Sequence, residues 1–334
     1  MLDRRRPRPG GTLEEMSMQD GARVTWLMPV KNGMPFLEAT LESIRAQTYR
    51  NYELLVWDNG STDGTRELLE SWIPERLPGT VIASAPLMLS ASRAELVRRA
   101  RTELCACIDA DDISLPQRLE KQVAAMTADP TLVAIGCSPR FIDEDDRTLP
   151  AWYYPLDDAE IRWRTIWQCS FNHSSVMFQR ESVLRAGNYR EDLATGEDTD
   201  LWQRLSRVGP MQNSPEQLTC YRRHRNSTTA VANFYDIEHA RRNAAWLFPG
   251  LPAGKAVQLW QASHPVYPTD RAPSLADFVG LKRVAIRLAR TLGLADRAFV
   301  RTEYFQLQRR LMAKNMLRSV ARSALGRRPA PVGS

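Results

Sequence analysis

The chain has 334 residues, 43% hydrophobic and 25% charged, with 45 Lys and Arg against 39 Asp and Glu for a net charge of +6. That composition excludes a disordered, collagen-like or disulfide-scaffold chain and suits one large or two modest domains with a sizeable core. The charge is unevenly spread: residues 281–334 hold 13 Lys and Arg against Asp296 and Glu303, a net of +11 within the +6 total, which leaves −5 for residues 1–280.

Residues 1–20 open with Arg4, Arg5, Arg6 and Arg8, interleaved with or followed by Pro7, Pro9, Gly10 and Gly11 where a signal peptide would be apolar. They read as a disordered basic arm. Arg23 to Val30 is an apolar, β-branched run expected to form a buried strand, followed by a helix over 35–47 with Phe36, Leu37, Leu41 and Ile44 at helical spacing. Strands are expected at 52–57, 80–84, 104–108 and 132–137, and helices at 65–72, 92–101 and 116–127. Strands alternating with helices predict βαβ units and a mainly parallel sheet. The five cysteines are scattered and odd in number, which fits buried thiols in a reducing, cytoplasmic setting. No apolar run reaches the roughly 18–20 residues of a membrane span.

In parallel sheets a ligand sits beyond the carboxyl ends of the strands. Three polar clusters fall there: Val30-Lys31-Asn32-Gly33, Asp58-Asn59-Gly60-Ser61-Thr62-Asp63-Gly64-Thr65 and Asp109-Ala110-Asp111-Asp112. The second is also what a turn and a helix cap require. The third places three carboxylates within four residues, which costs stability unless a cation or a hydrogen-bond donor compensates. Oxygen ligands of this kind suit Mg2+ or Mn2+ carrying substrate phosphates.

Pro29-Val30-Lys31-Asn32, the segment from Leu41 through Gln47-Thr48-Tyr49-Arg50-Asn51-Tyr52-Glu53, and Asp58 to Thr65 resemble the opening of family 2 glycosyltransferases with the GT-A fold. Ile108-Asp109-Ala110-Asp111-Asp112-Ile113 resembles that family's DxD segment, and Pro116 to Gln122 the helix after it. His173 to Phe178, Gly187-Asn188-Tyr189 and Gly196-Glu197-Asp198-Thr199-Asp200-Leu201-Trp202 resemble its acceptor half, so the likeness spans about 24–229.

The resemblance implies an α/β, GT-A fold with a mostly parallel sheet over 21–230, split into a nucleotide-sugar half (21–115) and an acceptor half (116–230). A helical extension over 231–326 and a flexible tail at 327–334 would follow. It implies that Pro29, Val30 and Asn32 line the base and ribose, that Asp58 accepts a hydrogen bond from the base, and that Asp109 contacts ribose or metal. Asp111 would hold Mg2+ or Mn2+ on the diphosphate, and Arg93 would bring positive charge to the nucleotide. Glu197-Asp198 has two readings: acidic residues favouring a helix start, or a base (Asp198, with Glu197 as partner) that deprotonates an acceptor hydroxyl. One base and no second close carboxylate imply single displacement with inversion. His224, in Tyr221-Arg222-Arg223-His224-Arg225, reads either as a metal or phosphate contact, with the flanking arginines suited to phosphate, or as an ordinary histidine at the edge of the fold. His173 reads as structural or acceptor-lining.

The implied donor is a nucleotide-diphospho-sugar, UDP-sugars foremost, and the acceptor a glycan or lipid-linked glycan. Without a QxxRW-type motif or a membrane span, addition of one or a few sugars is expected. Helices are expected at 157–167, 275–291 and 298–324; in the last, Arg310, Lys314, Arg318 and Arg322 recur every four residues as a basic stripe. Either that stripe is a solvated face, or residues 281–328 contact anionic membrane at the inner face of the plasma membrane. Two alternatives stand beside the transferase: a nucleotidyltransferase, which usually carries a Gly-rich basic loop absent after Val30, and a lipid or nucleic-acid binder driven by the tail, which leaves the carboxylate clusters unexplained. No nucleic-acid partner is expected.

Overall fold

The computed structural model describes residues 23–83, 85–150, 153–165 and 169–225, with isolated positions thereafter. Two units result: Met1–Leu156 with Phe171–His224, and Asp157–Ser170 with Arg225–Ser334.

In the first unit β1 (Val24–Val30) is buried at all seven positions. Its one internal polar side chain, Thr25, is satisfied by the Thr102 hydroxyl at 2.7 Å and Glu53 at 3.1 Å. Helix α1 (Leu37–Arg45) buries Leu37, Leu41 and Ile44, one face at helical spacing. Strand β2 (Tyr52–Asp58) runs parallel to β1 in register from Val24 opposite Tyr52 to Val30 opposite Asp58. Helix α2 (Thr65–Trp72) leads to β3 (Gly79–Ala83), parallel to β2. A side chain at Gly79 would put its Cβ 2.2 Å from the Leu54 carbonyl, so only glycine lets this strand pair. Helix α3 (Leu89–Arg99) and β4 (Leu104–Cys107), parallel to β1 on its other side, complete the first half.

The second half adds β5 (Ile113–Ser114), α4 (Arg118–Ala128), β6 (Ala134–Cys137) and β7 (Arg140–Ile142). In the second unit, helix α5 (Asp158–Thr165) carries the i,i+4 ion pairs Asp158–Arg162 and Glu160–Arg164. Back in the first unit come β8 (Met177–Gln179), α6 (Arg180–Arg185), α7 (Glu197–Leu205), β9 (Met211–Ser214) and β10 (Thr219–Arg222). Among the described residues the main sheet has the order β3-β2-β1-β4-β8-β6-β9, with β8 antiparallel to β4 and β6, and a small sheet has the order β5-β10-β7.

Val24, Trp26, Met28 and Val30 on one face of β1 pack with Leu37, Leu41 and Ile44 of α1 and Leu119, Val123 and Met126 of α4 in a single core. The opposite face, with Leu27 and Pro29, meets Arg93 and Leu96 of α3.

The expected α/β architecture is present, with a mostly parallel sheet. Helix α3 begins three residues before the expected start, because Leu89 to Ala91 carry no helix-start signal in the sequence. The antiparallel β8 and the small sheet were not among the expected elements; both are strands of two to four residues, too short to show alternation. The arm at 1–20, the extension at 231–326 with its helices at 275–291 and 298–324, and the tail at 327–334 lie outside the described residues except at isolated positions, of which 254, 283, 286, 287, 289 and 290 are helical. Among the described residues no helix is long and apolar enough to cross a membrane.

Candidate active site

The carboxyl ends of β1, β2 and β4 lie side by side, and the chain leaving each is tied to its neighbour. After β1, Asn32 adopts a left-handed backbone with φ of 54°, which Asn tolerates better than most residues. Its N–H donates to the Ser61 hydroxyl at 2.8 Å, and its side-chain oxygen accepts from the Thr62 N–H at 2.9 Å. The Gly33 N–H reaches the Thr65 hydroxyl at 2.8 Å, and the Met34 N–H reaches Asp63 at 3.0 Å. Asn59 carries the chain of ties onward, its amide exchanging two hydrogen bonds with the Leu87 backbone at 2.7 and 2.6 Å. Pro29 and Val30 are buried at the end of β1, and Asp58, 3% exposed, caps its own turn by accepting from the Ser61 N–H at 3.1 Å.

The Asp109–Asp112 loop solves its charge problem with a different partner for each carboxylate. Asp109 pairs with Arg93 at 2.9 Å. Burial alone would push its pKa up, but the Arg93 guanidinium outweighs this and holds the carboxyl below its ordinary range. Asp111 meets His224, Oδ2 to Nε2, at 2.9 Å. Asp112 turns inward, 1% exposed, and accepts from the Arg222 N–H at 2.8 Å. Burial first, and then the charges of Asp111 and Asp109, push the Asp112 carboxyl well above its usual range, toward its neutral form. Asp109 and Asp111 keep partly exposed side chains, whereas Asp112 is spent inside the fold. The loop is further fixed by hydrogen bonds from the Thr40 hydroxyl to the Ala110 carbonyl at 3.0 Å and from the Asp109 N–H to the Ser174 hydroxyl at 3.0 Å.

Arg93, 7% exposed, bridges two elements: one guanidinium nitrogen holds Asp109 and the other holds Glu197, the first residue of α7. One cation thus serves a buried carboxylate, Glu197, and a half-buried one, Asp109. Desolvation prevails at Glu197 and raises its pKa despite the pairing, whereas Asp109 stays charged. Gly196, at φ of 69°, makes the left-handed turn that starts α7 and presents Asp198 beside Glu197. Asp198 accepts from the Thr199 N–H at 2.6 Å, and its charge is felt at Arg93 and His173. His173 is buried, with Nε2 on the Tyr189 hydroxyl at 2.9 Å and Nδ1 3.8 Å from Asp109. Burial, with Arg93 adding to it, pushes its imidazole down to about 4, so it is neutral near pH 7.

A family model, Glycosyl transferase family 2, matches residues 25–187. The amylovoran biosynthesis glycosyltransferase AmsE of Erwinia amylovora is 31% identical over 185 residues, covering 54% of this chain and 68% of its own. The chain belongs to glycosyl transferase family 2. It is a glycosyltransferase, and its fold is that of S. aureus TarS 1-349 in complex with UDP-GlcNAc, at a TM-score of 0.62 and 14% identity over 90% of this chain and 92% of that one. A mannosyltransferase from Pyrobaculum calidifontis, in complex with GDP-Man and Mn2+, aligns at a TM-score of 0.50 and 20% identity over 89% of this chain and 86% of that one.

The family match ends at Gly187, whereas Glu197, Asp198 and His224 lie beyond it; Glu197 reaches the site through Arg93, and His224 through Asp111. The roles of two arginines escaped sequence reasoning. Arg118, fully buried, donates to the Ser174 carbonyl at 2.7 Å and the Cys107 carbonyl at 2.8 Å while lying over Trp26 at 4.8 Å, so it fixes the end of β4. Arg222, 2% exposed, turns into the fold. The only sequence signal for either is an arginine among apolar positions of a helix or strand.

Proposed function

We propose that this glycosyltransferase moves a sugar from a nucleotide-diphospho-sugar, a UDP-sugar foremost, to a hydroxyl of a glycan or lipid-linked acceptor by single displacement with inversion. The observation that carries the reading is the convergence of Asp111 with His224, and of Asp109 with Glu197 through Arg93, where the strands of a parallel sheet end. TarS with UDP-GlcNAc supports the donor class, and the name of AmsE supports a glycan product.

Pro29, Val30, Asn32 and Asp58 would line the base and ribose, and Asp109 the ribose. Asp111 and His224 fit a divalent cation, Mg2+ or Mn2+: one carboxylate and one imidazole whose ligating atoms already face each other, with the remaining positions left to phosphate oxygens. Among the described residues no group of three such side chains is arranged to hold a metal, which is consistent with a site completed by the substrate. Asp111 and His224 would hold such a cation, which would supply positive charge to the departing nucleoside diphosphate. Asp198 takes the proton of the acceptor hydroxyl as its oxygen attacks the anomeric carbon, and the bond from that carbon to the diphosphate oxygen breaks. Arg93 acts on the donor through Asp109 and fixes the start of α7 through Glu197.

The test is a turnover screen across nucleotide sugars with Asp198→Asn as control. One donor should be consumed by the wild type, and the variant should bind it equally while turning it over roughly 10²–10⁴-fold more slowly. Wild-type protein that neither binds nor turns over any nucleotide sugar would overturn the proposal. We further propose that the basic segment 281–328 contacts anionic membrane from the cytoplasmic side, supported by its charge. Vesicles containing anionic lipid should co-sediment wild type but not R310E/K314E/R318E/R322E; equal binding by both would remove this proposal.

A further inference from the structure

We infer that Arg222 is the positioning residue of the Asp111–His224 pair, an inference that rests on the reading of that pair as the cation site. Arg222 closes β10 and touches three separate segments. Its Nε donates to the Asp111 carbonyl at 3.0 Å, and its backbone N–H donates to the Asp112 carboxylate at 2.8 Å. Nη1 donates to the Asp143 carbonyl at 3.0 Å and pairs with Asp146 at 2.7 Å. The guanidinium lies 4.6 Å from the centre of the Phe36 ring, and that ring is 5.0 Å from the imidazole of His224.

These contacts fix both ligands. With the Asp111 carbonyl and the Asp112 carboxylate held, the Asp111 side chain keeps little freedom beyond its own rotamer. His224 follows Arg222 by two residues and leans on the same phenyl ring, so the exit of β10 and the Phe36 face together aim its Nε2 at Asp111. The planar fork is what allows one side chain to serve carbonyls in two loops at once; a lysine, with one nitrogen, cannot. Asp146 lies at the far end of the arrangement. Its side chain is 73% exposed and its φ is 64°, a conformation Asn and Asp accept, so a surface turn reaches the cation ligands through Arg222. Phe36 adds a second input, because it belongs to the loop that leaves β1 and carries Asn32.

Partners that orient metal ligands typically contribute about 10–100-fold in metal affinity. The experiment titrates Mn2+ into the full-length chain in the presence of UDP, reads free Mn2+ by electron paramagnetic resonance, and records the thermal midpoint of each variant. Arg222→Lys should weaken Mn2+ binding about tenfold or more. Phe36→Leu should weaken it less, and Asp146→Asn least, with the thermal midpoint of Asp146→Asn unchanged. His224→Ala is the reference for loss of a ligand. A lower midpoint with unchanged Mn2+ affinity in Arg222→Lys and Phe36→Leu would make Arg222 merely structural and overturn the inference while leaving the cation site standing. If Arg222→Lys does not fold, Phe36→Leu decides alone by the same criterion. Unchanged Mn2+ affinity in His224→Ala would remove the cation site itself, and the inference with it.

Discussion

The two sides of the site are held by different physics. On one side, the loops after β1 and β2 and the chain before α3 are laced by hydrogen bonds of Asn32, Asn59, Ser61, Asp63 and Thr65 to one another's backbones. On the acidic side, Asp109, Asp111, Asp112 and Glu197 are held by Arg93, His224 and Arg222, residues distant in sequence and mostly buried. Each hydrogen bond of the first kind contributes about 1 kcal/mol and fails alone. A buried charge of the second kind leaves an uncompensated partner when its counter-ion is removed, so its loss costs several times more. The difference predicts a laced side that tolerates substitution and an acidic side that does not.

The largest effect should come from Arg93. Arg93→Met strands Asp109 and Glu197 together without a cation, and urea unfolding should show a loss of about 3–5 kcal/mol. Adding Glu197→Gln should recover part of it, since one of the two orphaned carboxylates is then neutral. A loss below about 1 kcal/mol for Arg93→Met would erase the contrast between the two sides, because that is the size of an exposed pair.

Next comes His173. Its imidazole titrates at about 4 in the fold against 6.5 when unfolded, so between those values the unfolded chain holds the extra proton. This contribution is complete above pH 6.5 and is lost as the pH falls through that window toward 4, about 3 kcal/mol in all. His173→Gln should therefore show a shallower fall of the urea midpoint between pH 7 and 4 than wild type. Parallel curves would mean that the buried ring titrates normally, and the acidic side would lose one of its desolvated members.

The same contrast decides what could be read from sequence. The laced side follows local rules: Asp58-Asn59-Gly60-Ser61-Thr62-Asp63-Gly64-Thr65 is turn and helix-cap chemistry, and the structure spends most of those side chains that way. The buried strand β1 and helix α1 were legible for the same reason, since burial imprints a pattern on neighbouring residues. Asp109, Asp111, Glu197, Asp198 and His224 were legible as residues of interest, through clustered charge and family likeness. Their pairing was not. Arg93 joins Glu197 from 104 residues away and His224 joins Asp111 from 113, and no local pattern encodes a contact of that separation. Arg118 stayed hidden for a related reason: an arginine that binds backbone carbonyls leaves no complementary acid in the sequence to betray it. Arg222 does pair with an acid, Asp146, but that partner too is distant in sequence.

On the laced side, Thr65→Val removes the acceptor of the Gly33 N–H and one donor to Asp63. It should cost about 1 kcal/mol by urea unfolding and raise the donor KM with kcat little changed, because only binding is loosened. A loss as large as that of Arg93→Met would put the lacing on a par with the buried charges and break the comparison.

The smallest effect sharpens it. Asn59 mimics a backbone rung, its amide giving to the Leu87 carbonyl and taking from the Leu87 N–H at 2.7 and 2.6 Å. Asn59→Asp keeps the acceptor and loses the donor; Asn59→Ala loses both. Because the rung is exposed, water replaces what is removed, so the two variants should differ by only about 0.5 kcal/mol in urea unfolding, with Asn59→Ala the less stable. The order matters more than the size. If Asn59→Asp were the worse of the two, repulsion of the added charge would outweigh the hydrogen bond it keeps, the acidic side would be acting across the site on Asn59, and the two sides would not be electrostatically separate.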